Sequence, residues 1–306
     1  MNELAIVIPA YKADYLEKTL LSLSSQTSKD FTVYIGNDAS PHDLYGIVAK
    51  YQDSLKIKYK SFPDNLGGTD LVAQWERCIK LCEGEEWICV FSDDDIMQAN
   101  VVETFQNTAI PDNCDVVHFN IDIINGQDEI ICQCPGFPSE LDDASFFDLL
   151  FRRKIVARMP EFIFRRSFLE NIGIINFDLA WRSDTATILA AAKRGGIITV
   201  SGSDNKVLWR ASSENISGRE ELKIRKNKAN IAFFNWVKQQ GICLKMSKFY
   251  LLKAIVFSLE YGGSFHFLKQ GVSAIGKLQF ARGLRFISFL LVLYRIPYHW
   301  METHRN

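Results

Sequence analysis

The chain reads, from residue 87 to residue 95, W-I-C-V-F-S-D-D-D. Residues 87–91 are apolar without interruption, which is typical of a strand buried on both faces of a sheet. Three carboxylates, those of Asp93, Asp94 and Asp95, follow one residue later. Adjacent carboxylates repel one another unless a cation or strong hydrogen-bond donors compensate their charge. The stretch therefore predicts a buried strand that brings an anionic cluster to one edge of a sheet.

The residues before this stretch alternate between strand and helix patterns. Strands are predicted at 4–9, 31–35 and 55–59, and helices at 14–25, with Asp14 as the expected cap, and at 69–81. Such alternation is typical of a parallel, doubly wound sheet, whose ligand lies beyond the carboxyl ends of the strands. The predicted fold class is therefore α/β, with a mostly parallel, Rossmann-like sheet flanked by helices.

The region after the acidic stretch is less regular. One strand is predicted over 116–124. The remaining predicted elements are short strands at 162–164, 197–200 and 206–209 and helices at 144–152, 184–193 and 219–238, the last of them polar. A boundary near Gly241 divides the chain into a predicted domain at 1–240 and a C-terminal helical extension at 241–306.

Two more polar segments follow predicted strands of the same sheet, residues 37–40 after the second strand and residues 64–68 after the third. Because the carboxyl ends of parallel strands meet at one edge, these segments are expected beside the three carboxylates. Hard oxygen ligands without His or Cys suit Mg²⁺ or Mn²⁺, which commonly bridges carboxylates to substrate phosphates. On its own D-D-D is more often a solvated turn or a helix cap. Its place after an apolar strand favours the cation site.

In order and spacing, four motifs resemble those of glycosyltransferase family 2. They are I-V-I-P-A-Y-K at 6–12, N-D-A-S at 37–40, D-N-L-G-G at 64–68 and F-S-D-D-D at 91–95. The resemblance extends to about residue 217. It implies a GT-A fold and an inverting, metal-assisted enzyme that moves a sugar from a nucleotide sugar, with UDP as the expected nucleotide, to an acceptor hydroxyl.

The same resemblance implies roles for individual residues. Pro9, Ala10 and Tyr11 would line the nucleotide pocket, and Asp38 would accept a hydrogen bond from the base. Asp95, together with Asp93, would bind Mn²⁺ or Mg²⁺. The full set expected to bind the nucleotide sugar is Pro9, Ala10, Tyr11, Asp38, Asn65, Gly67, Asp93, Asp94 and Arg210.

An inverting transfer also needs a general base for the acceptor hydroxyl. By the resemblance, this base is a carboxylate at the start of a helix, and the matching stretch is F-D-L-A-W-R-S-D at 177–184. Asp184 is the expected catalytic base and Asp178 the second candidate. The structural alternative is that Asp184 caps the following helix, as Asp often does in a first turn. Ser183 stands where relatives commonly have another acid, and Arg210-Ala211-Ser212 stands where they often have Arg-x-His.

Other functional classes fit the sequence less well. An oxidoreductase with a dinucleotide-binding fold would need G-x-G-x-x-G after the first strand, where Pro9-Ala10-Tyr11 stands. A sugar nucleotidyltransferase would need a loop rich in Gly and Lys or Arg at the same place. A non-catalytic sugar-binding or scaffold protein on the same fold is the remaining alternative.

Charge is divided unevenly along the chain. Of its 35 basic and 36 acidic residues, nine and two respectively lie in 241–306. This distribution is against a nucleic-acid-binding protein with a dispersed basic face. The basic, aromatic-rich segment 241–306 contains no apolar run long enough to cross a bilayer, for which ~20 residues are needed. It is expected either to make peripheral membrane contact or to pack on protein, and membrane contact would suit a polyprenyl-linked acceptor.

The start of the chain and its cysteines bear on the compartment. M-N-E-L-A-I-V-I-P has neither a basic region nor a long apolar stretch, and it is interpreted as a first strand and not as a signal peptide. Seven cysteines without paired C-x-x-C motifs favour reduced thiols. The expected location is the cytoplasm, with the inner face of the membrane as a possible site of action.

Overall fold

The computed structural model describes residues 3–212 and 216–241. Its strands are β1 (Leu4–Ala10), β2 (Phe31–Asn37), β3 (Ile57–Ser61), β4 (Trp87–Val90), β5 (Ile96–Met97), β6 (Val116–Phe119), β7 (Ile121–Ile124), β8 (Ile130–Gln133), β9 (Glu140–Leu141), β10 (Phe162–Arg165), β11 (Ile197–Val200) and β12 (Val207–Arg210). Its helices are α1 (Leu16–Ser24), α2 (Leu44–Ala49), α3 (Leu71–Ile79), α4 (Val101–Asn107), α5 (Asp143–Phe151), α6 (Arg166–Ile172), α7 (Ser183–Gly195) and α8 (Lys223–Gln239).

The larger sheet has eight strands in the order β3-β2-β1-β4-β10-β6-β11-β9. Strands β3, β2, β1 and β4 pair in parallel, and β6 pairs in parallel with β11. Strand β10 lies between β4 and β6 and is antiparallel to both. The carboxyl ends of six strands therefore meet at one edge of this sheet, where β10 begins. We call this edge the carboxyl edge.

Helices cover both faces of this sheet. Apolar residues of α1, α2 and α4, such as Leu20, Val48 and Phe105, pack on one face. Those of α3, α5, α7 and α8, such as Phe147 and Phe234, pack on the other. Strands β1, β2 and β4 are buried almost throughout, whereas β3 is half exposed, as its alternating sequence predicts for an edge strand. The predicted α/β class and its mostly parallel sheet are confirmed.

A second, four-stranded sheet has the order β5-β12-β7-β8. It shows that the single strand predicted at 116–124 was wrong, because β6 and β7 belong to different sheets. The chain changes sheets at Asn120, whose carbonyl oxygen accepts from Val207 N at 3.0 Å and whose Oδ1 accepts from Phe137 N at 3.0 Å. Both strands are largely buried, so the hydrophobic pattern of the sequence does not mark the point between them where the chain changes sheets.

Two details of the predicted helices also differ. Helix α1 begins after Tyr15, and no side chain caps it, so the expected cap at Asp14 was wrong. Helix α8 corresponds to the predicted polar helix, but it buries Phe233, Phe234 and Val237 against the core.

The predicted extension at 241–306 lies outside the described residues except for Gly241. Among the helices that are described, none combines the length and apolar character needed to cross a membrane.

Candidate functional site

Asp93 joins the two loops that follow β1 and β4 at the carboxyl edge. Its Oδ2 accepts hydrogen bonds from the backbone N–H groups of Tyr11 and Lys12, both at 2.8 Å. The side chain of Lys12 reaches Asp94 at 3.4 Å. Strands β1 and β4 are direct neighbours, so the loops that follow them must meet. The structure therefore brings the Pro9-Ala10-Tyr11 segment and the acidic cluster together.

The side chains of the P-A-Y segment differ in exposure. Tyr11 is exposed, Pro9 is half-buried, and Ala10 is buried in the core on the α1 side of the sheet. Tyr11 can therefore offer its ring to a ligand, whereas Ala10 contributes through its backbone.

Asp38 lies at the end of β2 and is buried. Its Oδ1 accepts from Leu66 N at 2.8 Å, and its Oδ2 accepts from Gly67 N at 2.9 Å. A Cβ at Gly67 would lie only 2.7 Å from Asp38 Oδ2, so this close approach requires glycine. Asn65 closes the same loop by accepting from Gly68 N at 2.7 Å. Asp38 thus fixes the shape of the 64–68 loop, and its predicted contact with a base stays a prediction.

Arg77 completes this part of the site and was not predicted from the sequence. Its guanidinium donates to the Asp38 carboxylate and to the Asp64 carbonyl oxygen, the latter at 2.7 Å, and lies 4.0 Å over the Phe62 ring. The charge pair and the stacked ring build a flat, polar wall beside the 64–68 loop. The sequence feature that could have indicated Arg77 is its place on α3, the helix that follows the glycine-containing loop 64–68.

Asp95 is the most deeply placed of the three carboxylates and is fully buried. Its Oδ1 accepts from the backbone N–H of Arg210 at 2.7 Å, and its buried Oδ2 has no hydrogen-bond partner in the described part of the chain. Burial, with the neighbouring Asp94 charge, raises the pKa of Asp95 well above its ordinary range. The same two causes raise the pKa of Asp93 to about 6, against the opposing effect of its two N–H donors.

These carboxylates suit a divalent cation. Within residues 3–212 and 216–241, no three His, Cys, Asp or Glu side chains form a complete ligand set. Mg²⁺ and Mn²⁺ sites that act on phosphates often use only one or two carboxylates, with water and substrate oxygens as the other ligands. The unpartnered Asp95 oxygen beside Asp93 and Asp94 fits such a partial set, because a bound cation would compensate the repulsion between them.

Arg210, predicted to contact phosphate, is fully buried at the end of β12. Its Nε donates to the Asp94 carbonyl oxygen at 2.7 Å and its Nη1 to the Asn125 carbonyl oxygen at 2.7 Å, and the guanidinium lies 4.1 Å over the Tyr15 ring. In this conformation Arg210 holds the acidic loop against the smaller sheet. Arg210 Nη1 also pairs with Asp128 Oδ1 at 2.6 Å, and the predicted phosphate contact stays a prediction.

Asp184 occupies the first turn of α7, at the carboxyl edge because α7 leads into β11. Its Oδ1 accepts from Thr185 N at 2.6 Å, and the residue is half-buried. No side chain caps α7, whose N-cap residue is Arg182. Asp178, the second candidate base, instead pairs with Arg225 at 2.6 and 3.0 Å, and this pairing lowers the pKa of Asp178. The geometry therefore favours Asp184 as the available carboxylate.

A further carboxylate, Glu161, was not predicted from the sequence. It directly precedes β10 and is buried, with Oε1 accepting from Arg158 N at 2.7 Å. Its Oε2 has no hydrogen-bond partner among the residues that the structure describes. Burial raises the pKa of Glu161 well above its ordinary range, and the charges of Asp184 and Asp95 raise it further. Because β10 begins at the carboxyl edge, Glu161 lies at the same edge of the sheet as Asp95 and Asp184.

Comparison with known proteins identifies the family of this chain. A family model described as glycosyl transferase family 2 matches residues 5–173. The poly(ribitol-phosphate) β-N-acetylglucosaminyltransferase TarS of Staphylococcus aureus is 27% identical over 182 residues, which cover 57% of this chain and 29% of TarS. Validoxylamine A glucosyltransferase of Streptomyces hygroscopicus subsp. limoneus is 40% identical over 67 residues, 21% of this chain and 15% of the relative. The chain spans less than a third of the length of either relative.

Solved structures share the fold. Residues 1–349 of S. aureus TarS in complex with UDP give a TM-score of 0.57 at 16% identity, over 97% of this chain and 92% of that one. The complex of the same protein with UDP-GlcNAc gives 0.58 at 17% identity, over 98% and 92%. The GT-A fold predicted from the sequence is confirmed.

Proposed function

This chain belongs to glycosyltransferase family 2, and on that premise we propose that it transfers a sugar from a UDP-sugar to a hydroxyl group of a glycan or lipid-linked acceptor, with inversion at the anomeric carbon. One observation carries the proposal. Asp38, the Asp93–Asp95 cluster and Asp184 come from distant parts of the sequence and lie at the same sheet edge. TarS, to which the chain is similar, has been solved with UDP and with UDP-GlcNAc.

The donor's nucleotide belongs, in this proposal, at the carboxyl ends of β1 and β2. The exposed Tyr11 ring and the 64–68 loop held by Asp38 and Arg77 offer one stacking surface and several backbone polar groups. Such fixed groups bind the ground state and the transition state alike, so they contribute affinity more than rate. The Asp93 contacts with Tyr11 N and Lys12 N hold this pocket against the acidic loop.

Asp95 and Asp93 would hold Mn²⁺ or Mg²⁺. When bound, the cation would supply positive charge beside the diphosphate, where negative charge develops as the sugar leaves. Arg210 and its partners keep the acidic loop in one position, so the carboxylates need little rearrangement to act.

Asp184 would accept the proton of the acceptor hydroxyl. A single direct displacement, with the base on the face opposite the leaving group, inverts the anomeric centre and forms no covalent sugar intermediate. Asp178 is occupied by Arg225, which supports the assignment of the base to Asp184.

The acceptor and the location of the enzyme are also proposals. TarS is named for its action on poly(ribitol-phosphate), and the nine basic residues in 241–306 suit contact with an anionic membrane surface. We place the enzyme in the cytoplasm, at the inner face of the membrane. The six described cysteines are all free thiols, which agrees with a reducing compartment.

The proposal is tested by UDP binding and product analysis. Asp95→Asn should abolish transfer and weaken UDP binding chiefly when Mn²⁺ is present, which titration calorimetry with and without Mn²⁺ measures. Asp112→Asn makes the same change at an exposed residue near the amino end of β6, away from the carboxyl edge. It should leave transfer and UDP binding unchanged. UDP affinity that is independent of Mn²⁺ in all three proteins would refute the cation site. A product of unchanged anomeric configuration, seen by NMR, would refute the mechanism.

A further inference from the structure

Arg158 is a half-buried arginine without an acidic partner. Its Nη1 donates to the carbonyl oxygen of the residue before it at 2.9 Å, and no carboxylate in the described part of the chain forms an ion pair with it. Arg77, by contrast, pairs with Asp38. Arg210, the arginine predicted to contact phosphate, is fully buried and pairs with Asp128. Because an unpaired and partly desolvated charge costs free energy, Arg158 indicates a place for an anionic ligand.

Trp209 of β12 holds the Arg158 side chain. The guanidinium lies 4.9 Å over the indole ring, which is itself half-buried. Trp209 directly precedes Arg210, whose backbone N–H donates to Asp95. Side chains alternate along a strand, so the Trp209 ring points away from the Arg210 guanidinium. Arg158 therefore lies against the strand that binds Asp95, on the side opposite the buried arginine.

The backbone that follows Arg158 is also attached to β4. The short 3-10 helix Met159–Glu161 comes next in the chain and packs against both β4 and β12. Within this contact, Cys89 Sγ of β4 donates to the Pro160 carbonyl oxygen at 3.6 Å. Strand β4 leads directly into the acidic cluster, and β12 binds the Oδ1 of Asp95. Arg158 is thus connected to both strands that position Asp95.

Glu161, the acid nearest to Arg158 along the chain, does not take up its charge. The Arg158 backbone N–H donates to Glu161 Oε1 at 2.7 Å, and Oε2 has no hydrogen-bond partner among the described residues. Burial raises the pKa of Glu161 well above its ordinary range, which favours the neutral carboxyl group. The positive charge of Arg158 therefore stays available to a ligand at this edge of the sheet.

We propose that Arg158 binds the β-phosphate of the nucleotide-sugar donor and compensates the negative charge that develops there when the sugar leaves. This inference rests on the proposed function and adds a residue to its reaction. The donor diphosphate is the anion expected beside Asp95, because the proposed cation joins the two. A guanidinium recognises phosphate through paired N–H donors, and Arg158 uses few of its own within the protein.

The reaction is a displacement at the anomeric carbon. The acceptor oxygen forms a bond to this carbon and gives its proton to Asp184, while the bond to the diphosphate oxygen breaks and leaves its electron pair on UDP. Donors that are fixed where this charge develops stabilise the transition state more than the ground state. Because Trp209 already holds the guanidinium, Arg158 needs little reorganisation to serve as such a donor.

The test compares UDP, which contains the β-phosphate, with UMP, which lacks it. Titration calorimetry of the full chain in Mn²⁺ measures both affinities. R158Q removes the charge, and R158K keeps the charge without the paired N–H donors. R153Q makes the same change at an exposed arginine of the same segment and serves as the matched control. Thermal unfolding verifies that each variant is folded, and R158K decides by the same comparison where R158Q is not.

We expect R158Q to bind UDP about tenfold more weakly than wild type and UMP with unchanged affinity, since a hydrogen-bonded charge pair is lost only with UDP. R158K should lie between the two, and R153Q should match wild type. Unchanged UDP affinity in R158Q, or an equal loss of UDP and UMP affinity, would overturn the role of Arg158 and leave the proposed function standing. If Mn²⁺ does not raise the UDP affinity of the wild type, the proposed function fails and this inference fails with it.

Discussion

At the scale of single residues, the candidate site divides its carboxylates by their contacts. Asp38 and Asp93 accept backbone N–H groups, Asp178 pairs with an arginine, and Asp184 accepts only within its own turn of helix. A carboxylate already engaged by strong donors is a weaker base, since those donors stabilise its charged form. This difference in contacts is the reason for assigning the proton transfer to Asp184.

Asp184→Asn should therefore lower kcat by ~10²–10⁴-fold, as expected for the loss of a general base. UDP and Mn²⁺ binding should stay near wild type, because the change lies away from the donor. Steady-state kinetics with calorimetry of UDP binding measures both. Asp178→Asn is the matched control and should keep most of its activity; the reverse pattern would show that Asp178 is the base.

Arg77 is expected to act on donor affinity. Lys at this position keeps the charge but loses the planar group that stacks on Phe62 and spans Asp38 and Asp64. Arg77→Lys should raise the donor KM several-fold with little change in kcat, since these contacts are remote from the reacting carbon. Arg219→Lys, an exposed control, should change neither constant. A fall in kcat at constant KM would contradict this role.

At the scale of elements, the close packing of α3 on β2 sets the position of the nucleotide pocket. Gly36 is the point of nearest approach, because a Cβ there would lie 2.3 Å from Cys78 Sγ and 3.0 Å from the Phe62 ring. Gln74 of α3 also donates to the Gly36 carbonyl oxygen at 3.3 Å. The helix that carries Arg77 is thus fixed against the strand that carries Asp38.

Gly36→Ala should destabilise the protein by ~1–3 kcal/mol, as overpacking of a filled core does. Gly84→Ala provides the control, because a Cβ at that position meets no atom within 4 Å. Urea denaturation followed by circular dichroism gives both free energies of unfolding. Equal stability of the two variants would mean that α3 can move away from β2 without cost.

At the scale of the whole molecule, the interior contains a histidine without a charged partner. His118 of β6 is fully buried, stacked on the Phe137 ring at 3.7 Å, and its Nε2 has no hydrogen-bond partner in the described structure. Burial lowers the pKa of His118 well below its ordinary value of 6.5. The folded protein therefore keeps this ring neutral at pH values where the unfolded chain binds a proton.

His118 should make the protein less stable in mild acid. Above about pH 6.5, the pKa expected in the unfolded chain, the contribution of His118 to the free energy of unfolding is complete. As the pH falls below that value, this contribution decreases, because protons then bind preferentially to the unfolded state. His118→Phe should reduce the loss of Tm between pH 7 and pH 5, measured by calorimetry. The exposed His42→Gln should not. Identical pH profiles for wild type and His118→Phe would exclude this contribution.

The sequence by itself determined the α/β class, the strands that lead to the site, and the family to which the chain belongs. These features are local, because uninterrupted apolar runs and the polar segments that end them show where buried strands deliver functional groups. Only the tertiary structure decided which side chains meet. Arg77 and Asp38 are 39 residues apart, and Glu161 enters the site through a strand that runs against its neighbours. The separation of β6 from β7 was hidden because both are buried. Contacts between distant residues depend on how the elements pack, and the period of a sequence pattern does not record that packing.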